Sequence, residues 1–586
     1  MKPAKKAKPS KRVKLTAAQK AARRALAKIK RDENKFRNSA KEIFANSGFK
    51  YIASESKEFT FSTSAGERTT ELDGVFVYEN IIIVMEDTCT HNPGTHLAKK
   101  SIIFELALTN QSAFAECLAS ELVDFNTYHD ANQYDFTDYE LRIVYFSMYS
   151  VDTQYIDSAN RIGFQIVERA LTNYFHSLVK NIHSSAKYEI LKFLNVPFSD
   201  IGLAKISGGN SGANSTYRGF LLPEANSSYP KDYKIVSFYA DPASLLAKSF
   251  VLRKNGWITP NLSYQRILDV KKIRDMRRYL SENKRVYLSN IIATLPATTK
   301  IGNITTRDQL SPADQNKVKP VTISIPNEYN VIGLIDGQHR VYSYHEGIDN
   351  YDTQIKTLRL KQNLLVTGII YPDSVSEDDR ALFEAKLFLE INSKQTKVKS
   401  ALTQEIELIV NPYSAIAVAK AILMKLARSG ALKDKLEEHV FDDGQKLKVS
   451  SIISYGLRPL IKKEGGDSLF TAWSESAKKE DIIELRNTKS LESFVEFCVQ
   501  EINSLLNAIK KTSPDGWKIG EEKKMLTPTA INGYIKCLRL ILENNGTRSF
   551  THYETKIVGI ESFPFTDYKS SHWNQLGIDL YERFFA

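Results

Sequence analysis

The pattern of apolar and polar positions predicts a mixed helix and strand region first and a helical region last. Residues 35–52, KFRNSAKEIFANSGFKYI, have the spacing of an amphipathic helix that ends at Gly48. The segments KEFTFST, TELDGVFVYEN and IIIVMEDTCT then read as strands, a helix is predicted from about Thr95, and LRIVYFSMYS at 141–150 is a further strand. The predicted order is helix, three strands, helix and strand.

The remaining pattern completes an α+β multidomain chain. Residues 155–200 carry helical patterns and are predicted to form a bridge. The stretch ISGGNSGANSTYRG at 206–219 is interpreted as a flexible connection, since it lacks the spacing of a phosphate-binding P-loop. Strand and helix signals alternate up to about residue 410, and helical periodicity prevails after it. The predicted regions are 1–30, 31–154, 155–200, 201–410 and 411–586.

The positive charge of the chain is concentrated at its N-terminus. The net charge is +12, and residues 1–40 hold 15 Lys and Arg against 2 Asp and Glu, so the rest of the chain sums to −1. Such a basic arm is typical of a contact with the phosphates of DNA or RNA. A tail that only keeps the protein in solution remains the alternative. Thr16 and Gln19 are predicted to form a capping box at the start of a helix in this arm.

Targeting signals and cysteine pairing are not indicated. The longest apolar runs, such as IIIVM at 81–85, are far too short to cross a bilayer, and the basic N-terminus lacks the apolar stretch of a signal peptide. The four cysteines are scattered without CxxC spacing. We therefore expect a cytoplasmic protein that does not enter a membrane.

The element order of residues 31–154 resembles the core of the PD-(D/E)XK nucleases, the restriction-endonuclease-like fold. The resemblance implies a Mg²⁺ site in which Asp73, expected in one strand, and Glu86, at the end of the next, are the metal ligands. Glu42 on the first helix is a further candidate catalytic residue. The sequence departs from the family at Thr88, where a lysine is expected, and Lys99 or Lys100 is the candidate replacement. A degenerate fold that does not cleave, or acidic residues that only decorate a hairpin, stay open.

Residues 331–347, VIGLIDGQHRVYSYHEG, predict an apolar strand, a tight turn and a helix that runs towards Gly347. Asp336, Gly337, Gln338, His339 and Arg340 occupy the turn. Glycine permits a positive φ or close backbone approach, and the arginine side chain grips a phosphate with two hydrogen bonds. Histidine can donate a further hydrogen bond or transfer a proton. The turn is either an anion site or a structural turn held by an Arg–Asp pair.

Together with YQR at 264–266 and FLEINSKQTKV at 388–398, this turn resembles the DGQHR-domain family, which is DndB-like and has a ParB/sulfiredoxin-like α/β core. The resemblance covers about residues 200–410. It implies that Arg266, Gln338, His339 and Arg340 surround a nucleotide or nucleic-acid phosphate. It also implies that Asp336 orients the arginine or holds a metal, and that Asn392 lines or caps the cleft. A helix C-terminal turn is the alternative for Asn392.

These resemblances imply a DNA-interacting protein of bacterial defence or DNA-modification systems. A Mg²⁺-dependent nuclease-like module would be controlled by a DGQHR domain that binds, or also hydrolyses, a nucleoside triphosphate, or that binds DNA. The expected partners are DNA or RNA on the basic arm, a nucleotide, and a second copy or other proteins of the same defence locus. The alternative is a non-enzymatic DNA-binding regulator with a degenerate nuclease fold.

Overall fold

A computed structural model describes residues 16–54, 58–63, 66–132, 134–202, 205, 214–251, 268–392, 404, 406–408, 410–437 and 446–586. The chain is an α+β protein that divides into two compact units. Unit 1 is Met1–Lys187 with Ile201–Ile206, and unit 2 is Tyr188–Asp200 with Ser207–Ala586. Within the described ranges, no helix is both long enough and apolar enough to span a membrane.

Unit 1 is built around a five-stranded sheet. Its strands, together with a separate β2–β3 hairpin, are β1 (Lys50–Ile52), β2 (Glu58–Thr63), β3 (Gly66–Glu71), β4 (Gly74–Tyr78), β5 (Ile81–Thr88), β6 (Glu140–Ser147) and β7 (Phe164–Glu168). The sheet order is β1-β4-β5-β6-β7, antiparallel from β1 to β5 and parallel from β5 to β7. All residues of the central strand β5 are buried, since it has a neighbour on each edge and elements on both faces.

The helices up to residue 193 include the predicted helix before Gly48 and the one predicted from about Thr95, but two further helices follow the latter before β6. The helices of this part are α1 (Ala17–Ala45), α2 (Pro93–Thr109), α3 (Gln111–Glu121), α4 (Val123–Asn132), α5 (Thr153–Arg161), α6 (Arg169–Ile182) and α7 (Lys187–Phe193). The capping box at Thr16 and Gln19 is confirmed, because each side chain bonds the backbone N–H of the other residue.

Unit 2 contains an eight-stranded mixed sheet. Its strands are β8 (Asn214–Pro223), β9 (Lys234–Ala240), β10 (Ser249–Val251), β11 (Ile291–Leu295), β12 (Lys300–Asn303), β13 (Lys319–Pro326), β14 (Ile332–Asp336) and β15 (Leu364–Ile370). The order is β10-β14-β11-β15-β9-β8-β13-β12. The β10–β14 and β11–β15 pairs are parallel, and the other neighbours are antiparallel.

The helices of unit 2 accompany this sheet and then form the C-terminal region. They are α8 (Glu224–Ser227), α9 (Pro242–Lys248), α10 (Val270–Asn283), α11 (Gln338–Tyr342), α12 (Asp352–Lys361), α13 (Glu377–Asn392), α14 (Ala415–Arg428), α15 (Arg458–Leu460), α16 (Leu469–Ala472), α17 (Ser476–Ile483), α18 (Thr488–Thr512), α19 (Pro528–Asn545), α20 (Phe550–Lys556) and α21 (Trp573–Phe584). A π-helix spans Ile452–Leu457. The buried apolar residues of the C-terminal helices form one continuous core, which confirms the predicted α-helical character of this region.

Three local predictions differ from the structure of the first 230 residues. Asp73 does not lie in a strand but in the short connection before β4, where the chain leaves the β2–β3 hairpin for the main sheet. The predicted helical bridge at 155–200 contains β7, which extends the sheet parallel to β6. Residues 214–219, expected in a flexible connection, begin β8. Gly219 is needed there, since an added Cβ would lie 2.1 Å from the Ser237 backbone oxygen.

The helix after Gly337 is also shorter than predicted. It ends at Tyr342, and Tyr344 and His345 follow in i to i+3 turns. After the helix, arginine side chains bond the backbone oxygens that backbone N–H groups would bond in a longer helix. Arg359 donates to the backbone oxygen of Tyr344, and Arg277 donates to that of His345. Side chains distant in sequence thus end this helix.

Candidate functional site

The two acidic residues predicted as metal ligands meet at the middle of the unit 1 sheet. Glu86 lies on β5 with its side chain fully buried, and Asp73 precedes the neighbouring strand β4. The Oδ2 atom of Asp73 accepts a hydrogen bond of 2.9 Å from the backbone N–H of Asp87. This bond fixes the Asp73 carboxylate against the strand that carries Glu86.

A lysine from the following helix completes the cluster. The Nζ atom of Lys100 on α2 lies 2.7 Å from Oε2 of Glu86. It also donates to Oγ1 of Thr70 at 2.9 Å and to the backbone oxygen of Glu71 at 2.8 Å. Lys99 is exposed, because successive helical residues point about 100° apart. Of the two candidate lysines, Lys100 is therefore the one that reaches the acidic residues.

The environment of Glu86 disfavours its charged form. Burial, followed by the negative charge of Asp73, raises the pKa of Glu86 from 4.5 to about 8, although Lys100 and the backbone amide of Asp73 oppose the change. Near neutral pH this carboxyl group retains a proton unless further positive charge arrives. A divalent cation is one such source of charge.

The donor atoms suit Mg²⁺ only in part. Carboxylate oxygens are its preferred protein ligands, and Mg²⁺ is commonly held by one or two carboxylates with water and substrate phosphate oxygens. The described residues contain no group of three or more His, Cys, Asp or Glu side chains placed to hold a metal ion. Asp73 and Glu86 thus fit an ion whose coordination water and phosphate complete.

The position expected to carry the catalytic lysine has a structural role. Thr88 is buried, and its hydroxyl group bonds the side chain and the backbone N–H of Thr90. A lysine at this point of β5 would have to displace that turn. Lys100 is therefore the cation closest to Glu86 that the described contacts show.

Three neighbours of the cluster escaped the sequence predictions. Arg37 on α1 lies 2.8 Å from Oδ1 of Asp87 and anchors that helix to β5. His96 bonds the hydroxyl group of Tyr145, and this hydroxyl group donates to the backbone oxygen of Pro93. Burial, followed by the charge of Lys100, lowers the pKa of His96, so this histidine is neutral at neutral pH. A single arginine or histidine in a helical pattern gives no signal of such contacts.

Glu42 contacts a different part of unit 1. Its Oε2 atom lies 2.7 Å from Nε2 of His176 on α6. This pair joins α1 to α6, and no described contact links Glu42 to Asp73 or Glu86. The structure therefore places Glu42 in a helix–helix contact.

In unit 2, the Asp336–Arg340 segment, here called the DGQHR turn, links β14 to α11. Gly337 has φ +93°, a value that favours glycine, and an added Cβ would lie 2.9 Å from Nη2 of Arg340. Arg340 donates to Oδ2 of Asp336 at 2.9 Å and to the backbone oxygen of Asn290 at 2.6 Å. The Arg–Asp pair considered from the sequence is therefore present.

In the middle of the DGQHR turn, the His339 side chain has a hydrogen-bond partner, whereas the Gln338 side chain has none among the described residues. Nε2 of His339 accepts a hydrogen bond of 3.1 Å from the backbone N–H of Asp269, so that nitrogen carries no proton. Gln338 is 1% exposed, and within the described ranges neither its Oε1 nor its Nε2 atom has a hydrogen-bond partner. Buried amides are almost always bonded, so this one is a candidate ligand contact.

Two further predicted residues cannot be placed in this site. Arg266 lies outside the described residues. Asn392 is the last residue of α13, and its side chain is likewise outside the described part of the chain. Sequence reasoning missed Arg277 on α10, which is 1% exposed and bonds Asp349 with two nitrogens at 2.7 and 2.8 Å. Its basic neighbours made it look like part of a solvated helix face.

Comparison with known proteins does not assign this chain to a family. No protein-family model, no curated protein and no solved structure matches this chain.

Proposed function

We propose that unit 1 is a Mg²⁺-dependent nuclease of the PD-(D/E)XK kind that cleaves DNA, within a bacterial defence or DNA-modification system. The observation that carries the proposal is the 2.7 Å contact of Lys100 with Glu86 beside Asp73. Lys100 on α2 provides the positive charge that the family pattern requires and that Thr88 cannot provide.

The residues have distinct roles in this proposal. Asp73 and Glu86 hold the metal, and bound Mg²⁺ supplies an activated water molecule and neutralises charge on the phosphate. The Lys100 ammonium group, whose three N–H donors bond Glu86, Thr70 and Glu71, exchanges one of these bonds for a hydrogen bond to a non-bridging oxygen of the attacked phosphate. The bond from the Asp87 backbone N–H keeps Asp73 oriented before substrate arrives.

The test compares neighbouring lysines in a plasmid-nicking assay with Mg²⁺. Lys100→Met is expected to lower the cleavage rate about 100- to 1,000-fold, the usual cost of one lost donor to a developing charge. Lys99→Met is the matched control and should leave the rate unchanged, since Lys99 is exposed. Equal activity of the two variants, at equal melting temperatures, refutes the role of Lys100.

A non-enzymatic DNA-binding regulator is the second candidate function. It is favoured by the hydrogen bonds of Thr88 and by the two bonds that tie Lys100 to Thr70 and Glu71, which suit a structural role. DNA binding by the wild-type protein without any Mg²⁺- or Mn²⁺-dependent cleavage would establish this candidate instead.

For unit 2 we propose that the DGQHR turn binds a nucleotide phosphate and thereby controls unit 1. The support is the buried Gln338 amide, together with the Nε atom of Arg340, which is buried and has no hydrogen-bond partner among the described residues. Leaving such groups unpaired costs about 1–3 kcal/mol each, and a ligand would recover this energy.

Gln338→Leu separates a ligand site from a packing defect. The substitution removes the unpaired polar atoms at similar volume, so a purely structural turn should become more stable, with unchanged nucleotide affinity. A ligand site should instead lose affinity for nucleoside triphosphate in calorimetric titration, while the melting temperature stays equal or rises.

A further inference from the structure

Most of the unit 2 sheet is covered by other parts of the chain. One of its two faces, here called the outer face, exposes some of its side chains to solvent. On its opposite face, Leu221, Val321 and Ile323 are fully buried. At one end of the outer face, α13 covers the strands through an apolar cluster that includes Tyr233 and Tyr371. Beyond this cluster, exposed side chains follow on β15, β9 and β8, and Lys300 is exposed at the start of β12, whereas Gly302 of β12 is covered by the backbone of Arg307 and Asp308.

Large side chains on this uncovered part are exposed to an unusual degree. Phe220 on β8 is 58% exposed, Tyr239 on β9 is 64% exposed and Leu365 on β15 is 37% exposed. Phe220 pairs with Ser237, two residues before Tyr239, and Tyr239 pairs with Leu365. The two residues therefore occupy diagonal positions on neighbouring strands, with backbone positions about 7–8 Å apart.

Positive charge accompanies the two rings. Arg218 and Lys300 are exposed, and strand alternation places both on the same face as Phe220. Arg218 stands one register step beyond the Gly219–Phe238 pair, directly beside Tyr239. Between these residues, the described strands carry on this face the bonded pair Thr216 and Ser324, together with Ser237, Thr322 and Pro320, and no acidic residue. We call this surface, made of Arg218, Phe220, Tyr239, Lys300 and Leu365, the open face.

We propose that the open face binds single-stranded nucleic acid, with bases stacked on Phe220 and Tyr239 and phosphates beside Arg218 and Lys300. Aromatic side chains on the exposed face of a sheet are a general solution for stacking unpaired bases, and nearby cations hold the backbone. The charge of the open face favours nucleic acid as its occupant, since Arg218 and Lys300 are exposed cations and the strand positions between them carry no acidic residue. The open face includes no residue of the acidic cluster or of the DGQHR turn.

The test measures fluorescence anisotropy of a labelled single-stranded oligonucleotide with the full-length protein, in EDTA so that no cleavage occurs. Phe220→Ala and Tyr239→Ala are each expected to weaken binding about 5- to 100-fold, since one stacked base is lost. Tyr239→Phe should retain most of the affinity. Leu360→Ala and Val558→Ala are controls, because these residues are 75% and 72% exposed elsewhere in unit 2.

Two further measurements distinguish other occupants. Arg218→Ala should lower the slope of log affinity against log salt by about 0.7, the value for one phosphate contact on a single strand. Unchanged affinity of the alanine variants, or equal loss for a duplex of the same length, overturns the proposal. A large fall in the melting temperature of the alanine variants also overturns it, because it would show that another part of this chain covers the face. The loss of a dimer in light scattering overturns it as well, because it would show that a second copy of the chain binds the face.

Discussion

Glu86→Gln is expected to stabilise the unit 1 sheet at alkaline pH, in protein freed of divalent cations, and to change little at pH 5. The pKa of Glu86 is about 8 in the folded protein against an ordinary value of 4.5. Between these values the folded state holds a proton that the unfolded state has released. Wild-type stability therefore falls as pH rises from 4.5 to 8 and is level above 8, whereas glutamine does not titrate.

The size of the effect follows from the difference between the two pKa values. Each pKa unit corresponds to about 1.4 kcal/mol, so between pH 5 and pH 9 the variant gains about 4 kcal/mol relative to the wild type. The side chain is fully buried, so solvent screening does not reduce this value much. This free-energy difference corresponds to a change of about a thousand-fold in the equilibrium constant for local opening of the sheet.

Hydrogen exchange of peptides that cover β5 measures this opening in the intact protein. The ratio of wild-type to variant exchange rates at each pH cancels the intrinsic pH dependence of exchange. The ratio should rise steeply from pH 5 to pH 8, and Mg²⁺ should reduce it if Glu86 is a metal ligand. A ratio that stays constant over this range would refute the raised pKa of Glu86.

Three other outcomes are expected. Gly337→Ala should destabilise unit 2 by about 1–2 kcal/mol in denaturant unfolding because of its positive φ, while Gly466→Ala, with no atom within 4 Å of the added Cβ, should not. Arg340→Lys should lower the melting temperature and nucleotide affinity together, because lysine keeps the charge but loses the planar contact with Asp336; an effect on melting alone identifies a purely structural pair. Deletion of residues 1–30 should weaken DNA binding and flatten its salt dependence, and an unchanged slope would mark the arm as a solubilising tail.

Features that depend on near neighbours along the chain could be predicted from the sequence. The capping box at Thr16 was predicted, because its two bonds form within one helical turn. The strand β5, the strand β14 and the helical C-terminal region were likewise evident from apolar periodicity. Gly337 was marked as a special backbone position, since only local sterics decide it.

Contacts between distant residues were decided by tertiary structure. The periodicity of α2 allowed either Lys99 or Lys100, and only the packing of α2 against the sheet selected Lys100 for Glu86. The contacts of Arg37 with Asp87 and of Glu42 with His176 join separate elements, so no local pattern carries them. The raised pKa of Glu86 depends on its depth in the sheet. Strand alternation shows which side chains share a face, but only the assembled sheet shows which part of that face stays open to solvent.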